Sequence, residues 1–105
     1  MGKLTASYHE HLIKSLKAPA ECAAYLNAAL EDGDPHVLLK ALRNVAEARG
    51  GVAKLAARTK LARESLYRML SPRGNPELNS LSRIIRHLGM RLAIVPESAI
   101  RGAHR

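Results

Sequence analysis

The sequence has very few aromatic residues. It contains no Phe and no Trp, and its three Tyr are Tyr8, Tyr25 and Tyr67. Sheet sandwiches and barrels draw on aromatic and β-branched side chains, whereas Ala, Leu and Arg, which recur throughout this chain, are strong helix formers. The scarcity of aromatic residues therefore argues against a β architecture and predicts an all-α fold with an aliphatic core.

Cysteine and long apolar runs are also scarce. Cys22 is the one cysteine, so an internal disulfide is excluded, and no Cys/His cluster has the spacing of a zinc finger. No run of about 18 apolar residues is present to span a membrane, and the first residues lack the pattern of a secretory signal. We expect a cytoplasmic protein with no metal, no cofactor and no membrane partner.

The sequence also lacks a recognisable set of catalytic residues. A chain of 105 residues builds one small core. Ser65 has no plausible base and orienting acid nearby in the sequence, and Gly50-Gly51 is typical of a helix end rather than of a phosphate-binding loop. We therefore expect a protein that is not an enzyme and has no catalytic residues.

Positive charge is abundant and unevenly distributed. The 17 Lys and Arg exceed the 9 Asp and Glu, for a net charge of +8. Residues 1–50 contain six of each sign, whereas residues 51–105 contain eleven Lys or Arg and three acids, so the second half carries the whole excess. Such a surface attracts polyanions by releasing their counterions. On charge alone, a role in solubility explains the pattern equally well.

Helix start and stop signals predict about five helices. Pro at a first helical position and Asp before Pro open two of them, and Gly residues close them. The predicted helices cover residues 20–30, 35–49, 52–58, 62–70 and 78–88. They form a single domain at 19–96, between an N-terminal arm or short helix at 1–18 and a flexible tail at 97–105.

Residues 90–95 predict one short C-terminal strand, because apolar and polar residues alternate at its start and Pro96 ends it. A single strand needs a partner for its backbone N–H and C=O groups, and no other segment has a strand pattern. We therefore predict that this strand pairs across a homodimer, with Leu92 and Ile94 in the dimer contact. The alternative is an extended tail packed on the helices.

Residues 52–71 have the form of a helix-turn-helix, with two helices of about two turns each that must cross steeply. Ala56 is small enough for a close crossing. The residues expected to pin this crossing are Leu55, Leu61, Leu66 and Met69. Their burial would turn outward a set of side chains that can contact base edges or phosphates. The predicted DNA-binding residues are Lys54, Arg58, Lys60, Arg63, Glu64, Tyr67, Arg68, Ser71 and Arg73.

The residues from Gly50 onward resemble a known family. The segments that carry the resemblance are 50–56, 63–71, 74–76 and 88–92, with 15–17, 23–30 and 33–35 upstream. Together they resemble the antidote proteins of bacterial addiction modules, small antitoxins with a lambda-repressor/Cro-like helix-turn-helix. The resemblance covers almost all of residues 7–96. It departs at the turn, where Lys60 replaces a Gly frequent in related motifs, and at Ala62, where a Ser/Thr-type cap is usual.

The resemblance implies a type II antitoxin with two partners. One is a small toxin of the RelE-like, RNA-cleaving kind, which the protein silences; the other is double-stranded DNA of the module's own promoter, which it represses as a dimer. The nearly neutral helix at 20–30 is not needed for DNA, and we predict that Tyr25 and Leu26 contact the toxin. Equally, that helix could simply cover the core.

Two other functions remain open at this level. One is a stand-alone or phage-type helix-turn-helix repressor with no toxin. The other is an RNA-associated accessory protein, which the lack of exposed aromatic platforms for single strands disfavours.

Overall fold

The computed structural model describes residues 2–97 of the chain, with side chains from residue 7 onward. All regular structure in this part of the chain is helical, which confirms the predicted fold class. The helices are α1 (Gly2–Ser15), α2 (Pro19–Asp32), α3 (Pro35–Ala48), α4 (Val52–Thr59), α5 (Arg63–Met69) and α6 (Leu78–His87).

Local sequence signals explain the boundary between α2 and α3. Gly33 ends α2 in the left-handed conformation, with φ of 85°, and its N–H donates to the carbonyl of Leu30. The carboxylate of Asp34 then caps α3 by accepting the N–H of His36 at 2.9 Å. Pro35 is the first residue of α3, where a missing N–H breaks no helical bond.

α3 lies at the centre of the fold. It packs against α1, α2 and α4, and α4 packs in turn against α5 and α6. Leu42, Val45, Leu66 and Ile84 are completely buried. Each buried aliphatic side chain of this size contributes about 1.5–3 kcal/mol of hydrophobic stabilisation. The aliphatic core therefore joins the neutral first half of the chain to the basic second half.

The predicted count of five helices was wrong because α1 is a full helix. Leu16, immediately after α1, is only 1% exposed. The ring Nε2 of His9 lies 3.1 Å from the carboxylate of Glu47 on α3. These contacts with distant residues hold α1 on α3, whereas the local pattern of residues 1–18 predicted an arm or a short helix.

The predicted strand at 90–95 was wrong as well. Its backbone is irregular, because a strand requires a neighbouring strand for its ladder hydrogen bonds, and the rest of residues 2–97 supplies none. Most of the predicted flexible tail, beyond Glu97, lies outside the described residues.

The helical spacing of Leu78, Leu81, Ile85 and Leu88 predicts that these four residues face inward from α6, and the structure shifts the buried face by part of a turn. Leu78 begins the helix but is 73% exposed, while Ile84, which was not predicted to face inward, is fully buried. Ile85 and Leu88 are buried as predicted.

Candidate nucleic-acid interface

α4 and α5 occupy the segment predicted to bind DNA. They pack against each other and are joined by the three residues Lys60, Leu61 and Ala62. The residues predicted to pin the pair are all buried or partly buried in the core, namely Leu55, Leu61, Leu66 and Met69. Two short helices are thus held at a fixed angle on one side of the domain.

The connection between them is built around a buried threonine that the sequence analysis missed. The Oγ1 of Thr59 donates to the carbonyl of Leu55 at 2.8 Å and accepts the N–H of Leu61 at 3.4 Å. The next residue, Lys60, has a φ of 61°. Among residues 2–97 it is the one residue other than glycine that has a positive φ. A left-handed conformation costs a non-glycine residue about 1–2 kcal/mol.

Ala62 precedes α5 and supplies no side-chain cap. Caps such as Ser or Asp stabilise a helix by about 1 kcal/mol. α4 and α5 nevertheless form on either side of Lys60 and Ala62.

The predicted DNA-binding side chains share one property, which is exposure. Eight of the nine are exposed and Ser71 is partly buried. The exposed set is Lys54, Arg58, Lys60, Arg63, Glu64, Tyr67, Arg68 and Arg73. On α5, Glu64 and Arg68 lie on the side of the helix away from Leu66 and Leu70, which are buried.

Two contacts organise the outward side chains of α5. The guanidinium of Arg63 lies over the ring of Tyr67, 5.7 Å from its centroid, within the range of a cation–π interaction. The Nη2 of Arg68 donates to Ser65 Oγ at 3.4 Å. A guanidinium has five N–H donors, so this long bond leaves Arg68 with the capacity to hydrogen-bond a base or a phosphate.

Ser71 is placed differently from the other predicted contacts. Its hydroxyl donates to the carbonyl of Arg68 at 2.8 Å. This bond satisfies one of the free carbonyls at the end of α5. Donation from Ser71 to a phosphate would require that the bond be broken.

Two partly buried arginines, also missed by the sequence analysis, reach the same pair of helices from outside it. Arg43 of α3 donates from Nη1 to the carbonyl of Leu70, the residue that ends α5. Arg83 of α6 donates from Nη1 to the carbonyl of Thr59, the last residue of α4, at 3.5 Å. The partners are 27 and 24 positions apart in the chain, so no local pattern could reveal them.

The two residues predicted to contact a toxin are in different environments. Leu26 is a core residue, 5% exposed, and cannot reach a partner in this conformation. Tyr25 is partly buried, and its hydroxyl accepts a hydrogen bond from Nδ2 of Asn44 at 2.9 Å.

Tyr25 lines a groove of about 600 Å³ between α1, α2 and α3. Three alanines line the groove together with Tyr8 and Val37, and Asp32 and Lys40 supply charges of opposite sign. None of the predicted DNA-binding residues lines this groove. The molecule therefore presents an apolar concave surface separate from the basic one.

The residues predicted to form the dimer contact, Leu92 and Ile94, lie in a segment, residues 91–95, whose side chains are all exposed. Ile94 is fully exposed, and Leu92 and Val95 are among the other exposed large apolar side chains. These side chains form a short apolar segment on irregular backbone. The described residues show this exposed segment but no dimer contact.

Other candidate sites have simple structural roles. Cys22 is completely buried, and burial raises the pKa of its thiol more than the nearby Arg49 lowers it. Residues 2–97 hold no cluster of three His, Cys, Asp or Glu side chains suited to a metal ion. In the same part of the chain, no helix has the length and apolar character needed to cross a bilayer.

Comparison with known proteins identifies a family. The family model described as "Probable addiction module antidote protein" matches residues 9–96. An uncharacterized protein of Haemophilus influenzae (strain ATCC 51907 / DSM 11121 / KW20 / Rd) is 29% identical over 79 residues, which cover 75% of this chain and 80% of the relative. No solved structure matches the chain significantly.

Proposed function

Because the chain belongs to the family of probable addiction module antidote proteins, we propose that it is an antitoxin that binds both a toxin and DNA. In this proposal the protein neutralises a RelE-like, RNA-cleaving toxin, and it binds the promoter of its own module through α4 and α5, used as a helix-turn-helix. The family membership carries the antitoxin role. The exposed polar face of α5 carries the proposal for DNA.

The chemistry of that face suits a major groove. A helix of two turns presents Arg63, Glu64 and Arg68 together, and these can pair with guanine O6 and N7 or with cytosine N4. Lys54 and Arg58 on α4 are exposed beside it and can neutralise phosphates. The net charge of +8 arises wholly in the half of the chain that contains these helices, which supports a polyanionic partner.

Arg68→Ala and Lys54→Ala test the proposed division between base and phosphate contacts. If Arg68 reads a base, its loss should reduce the preference for the operator over scrambled duplex by about 1–3 kcal/mol. Lys54→Ala should weaken binding to both duplexes equally. It should also reduce the salt dependence of binding by the amount expected for about one phosphate contact. Titrations of both duplexes at several salt concentrations measure these effects.

Equal losses on both duplexes for Arg68→Ala would make Arg68 a phosphate contact instead. Lys17→Ala, at an exposed lysine between α1 and α2, is a control that should leave both affinities unchanged. Tighter binding to single strands than to either duplex would contradict the proposal and favour an RNA-associated role.

The proposed toxin surface is the groove lined by Tyr25. It is apolar and concave, and no residue of α5 lines it, so a toxin bound there would not occupy the DNA-facing side chains. It also lies in the half of the chain where charges cancel, as expected of a surface that does not bind a polyanion.

Val37→Asp and Tyr25→Asp test this surface. Val37 lines the groove near the start of α3, where an acidic residue favours the helix, so the domain should stay folded while toxin binding is lost. Affinity purification of the tagged chain from its own host, with nuclease treatment and mass spectrometry, measures recovery of one small stoichiometric partner. Leu78→Asp, an exposed position outside the groove, should retain it.

A chain that purifies alone would contradict the toxin part of the proposal and leave a stand-alone repressor. If both groove variants keep the partner while it binds the wild type, the toxin binds elsewhere. Circular dichroism of each variant establishes that its helices are intact.

We further propose that the promoter-bound form is a homodimer joined by residues 91–95. A dimer contact at this segment would remove the exposed side chains of Leu92 and Ile94 from water. A two-fold dimer also presents two copies of α5 to two half-sites.

A further inference from the structure

The two helices of the proposed DNA-binding unit end in carbonyl groups that their own helices cannot satisfy. Every α-helix leaves its last carbonyls without intrahelical partners, and a positive charge near them is favourable because of the helix dipole. α5 has seven residues and no side-chain cap at its start. A helix this short depends on contacts with the rest of the fold for its stability and its direction.

Arg43 supplies such a contact at the end of α5. It projects from the central helix α3, is partly buried, and donates from Nη1 to the carbonyl of Leu70. Tyr67 of α5 and Glu47 of α3 line the same small hollow as Arg43. The arginine therefore reaches α5 on the side of Tyr67 and Leu70, whereas Arg68 projects from another side of the helix.

Arg83 supplies the corresponding contact for α4. It projects from α6, is partly buried, and donates to the carbonyl of Thr59 at 3.5 Å. Thr59 immediately precedes Lys60, so this bond is made at the start of the connection between the helices. The ends of both helices are thus held by arginines from two flanking helices.

We propose that Arg43, assisted by Arg83, is a positioning residue that fixes the direction of α5 for sequence-specific DNA recognition. The inference rests on the proposed DNA-binding function. In this proposal Arg43 acts through the position of α5 and not by contact with DNA. Its charged hydrogen bond holds the last turn of α5 on α3, and a tilt of this helix would displace the outward side chains from the base edges they read.

Not all arginines of the chain therefore serve the same purpose. Exposed cations bind phosphates regardless of sequence, and their number sets the salt dependence of binding. Arg43 should instead affect discrimination between DNA sequences, and its loss should leave the sequence-independent affinity for DNA unchanged.

Arg43→Met provides the main test. The probes are a duplex from upstream of the chain's own gene and the same duplex with its sequence scrambled. We expect affinity for the upstream duplex to fall about tenfold, while affinity for scrambled duplex and its salt slope stay unchanged. Arg43→Lys, which can donate one hydrogen bond to the Leu70 carbonyl, should recover most of the loss. Lys17→Met removes an exposed cation from the connection between α1 and α2 and should change neither affinity.

Hydrogen exchange at the amides of α5 separates positioning from direct contact with a base. Arg43→Met should accelerate exchange in the last turn of α5 in the absence of DNA, whereas loss of a base contact would leave it unchanged. Arg83→Met should accelerate exchange at the end of α4 and reduce discrimination in the same direction.

Three results would overturn the proposal. The first is unchanged discrimination by folded Arg43→Met. The second is equal losses on both duplexes with a shallower salt slope, which would make Arg43 a phosphate contact. The third is unchanged exchange in α5. If Arg43→Met does not fold, Arg43→Gln replaces it. If the wild-type chain does not discriminate between the duplexes, the proposed sequence-specific DNA binding is wrong. Accelerated exchange in Arg43→Met would then still show that Arg43 stabilises the position of α5.

Discussion

Lys60 occupies a backbone conformation that favours glycine, and it does so at the connection between the two helices of the candidate interface. Its φ of 61° carries a steric cost because its Cβ approaches the following carbonyl. Its side chain is exposed and makes no packing contribution that would compensate. A cation at this position therefore suits a role in phosphate binding better than a role in stability.

Lys60→Gly should raise the free energy of unfolding by about 0.5–1 kcal/mol, because relief of strain exceeds the extra chain entropy of glycine. It should weaken binding to every duplex and lower the salt slope by about 0.9. Urea denaturation and DNA titration measure the two effects. Ala57→Gly, inside α4, should instead destabilise by about 1 kcal/mol. A less stable Lys60→Gly variant would show that the lysine side chain makes stabilising contacts.

Asp34 carries the clearest pH-dependent contribution at the scale of one residue. The N–H of His36, and then its ring, lower the pKa of this carboxyl from 3.8 by hydrogen bonding to the carboxylate. The charged form is therefore bound more favourably in the folded state than in the unfolded one. Its stabilisation is complete above pH 3.8 and is lost as the pH falls through the lower, folded-state pKa.

Asp34→Ala should therefore be less stable than the wild type at neutral pH, and the difference should shrink as the pH falls below 3.8. Urea denaturation at a series of pH values measures it. Asp34→Asn keeps an oxygen acceptor without a titrating charge, so this part of its stability should not vary with pH. A constant difference between wild type and Asp34→Ala at all pH values would contradict the capping role.

At the scale of the element, α5 combines a short length with strong external support. Its outward side chains have few internal partners, while its buried side holds Leu66 and its end is bonded to Arg43. The chain then reverses sharply at Gly74, whose N–H donates to the carbonyl of Ser71 at 2.8 Å. A side chain at Gly74 would overlap the backbone carbonyl of Met69, so the reversal lies directly against α5.

Gly74→Ala should consequently destabilise the domain by about 1–3 kcal/mol, because neither backbone segment can move without a change in packing. It should also reduce discrimination between duplexes by displacing the end of α5. Urea denaturation and DNA titration provide the measurements. Asn75→Ala, at the exposed neighbouring position, should remain within about 0.5 kcal/mol of the wild type. Normal stability in Gly74→Ala would show that the loop relaxes freely.

At the scale of the whole molecule, two surfaces of different chemistry share one core. α3 lines the groove between α1 and α2 with Lys40, Ala41 and Asn44, and it holds α5 with Arg43. Successive residues of one helix thus serve the proposed toxin surface and the proposed DNA surface. The exposed segment with Leu92 and Ile94 is a third surface, which the proposed dimer would cover.

Ile94→Lys should prevent dimer formation, because it places a charge in the apolar contact that pairing would bury. Sedimentation equilibrium should give a dimer for the wild type and a monomer for this variant, with unchanged helical circular dichroism. Leu78→Lys, at an exposed leucine of α6, should remain dimeric. A monomeric wild type at all concentrations would contradict the proposed dimer.

Local signals in the sequence predicted the class of fold and most of the helices. Pro19, Gly33 and Asp34 act within one turn of their own positions, so their effects are readable without knowledge of the fold. The exposed face of α5 was predictable for the same reason, because the burial of Leu66 determines which of its neighbours face outward. Family membership was likewise predicted from residues spread along most of the chain.

Only the tertiary structure decided the remaining features. α1 is held by Leu16 and by the contact of His9 with Glu47. Residues 90–95 form no strand because no described segment supplies a neighbouring strand. Leu26 and Tyr25 are neighbours in sequence, yet packing against α3 buries the first and leaves the second at a groove. Arg43 and Arg83 reach carbonyls more than twenty positions away. Local sequence determines which segments become helices, whereas partners distant in the chain decide how those helices are held and which side chains remain accessible.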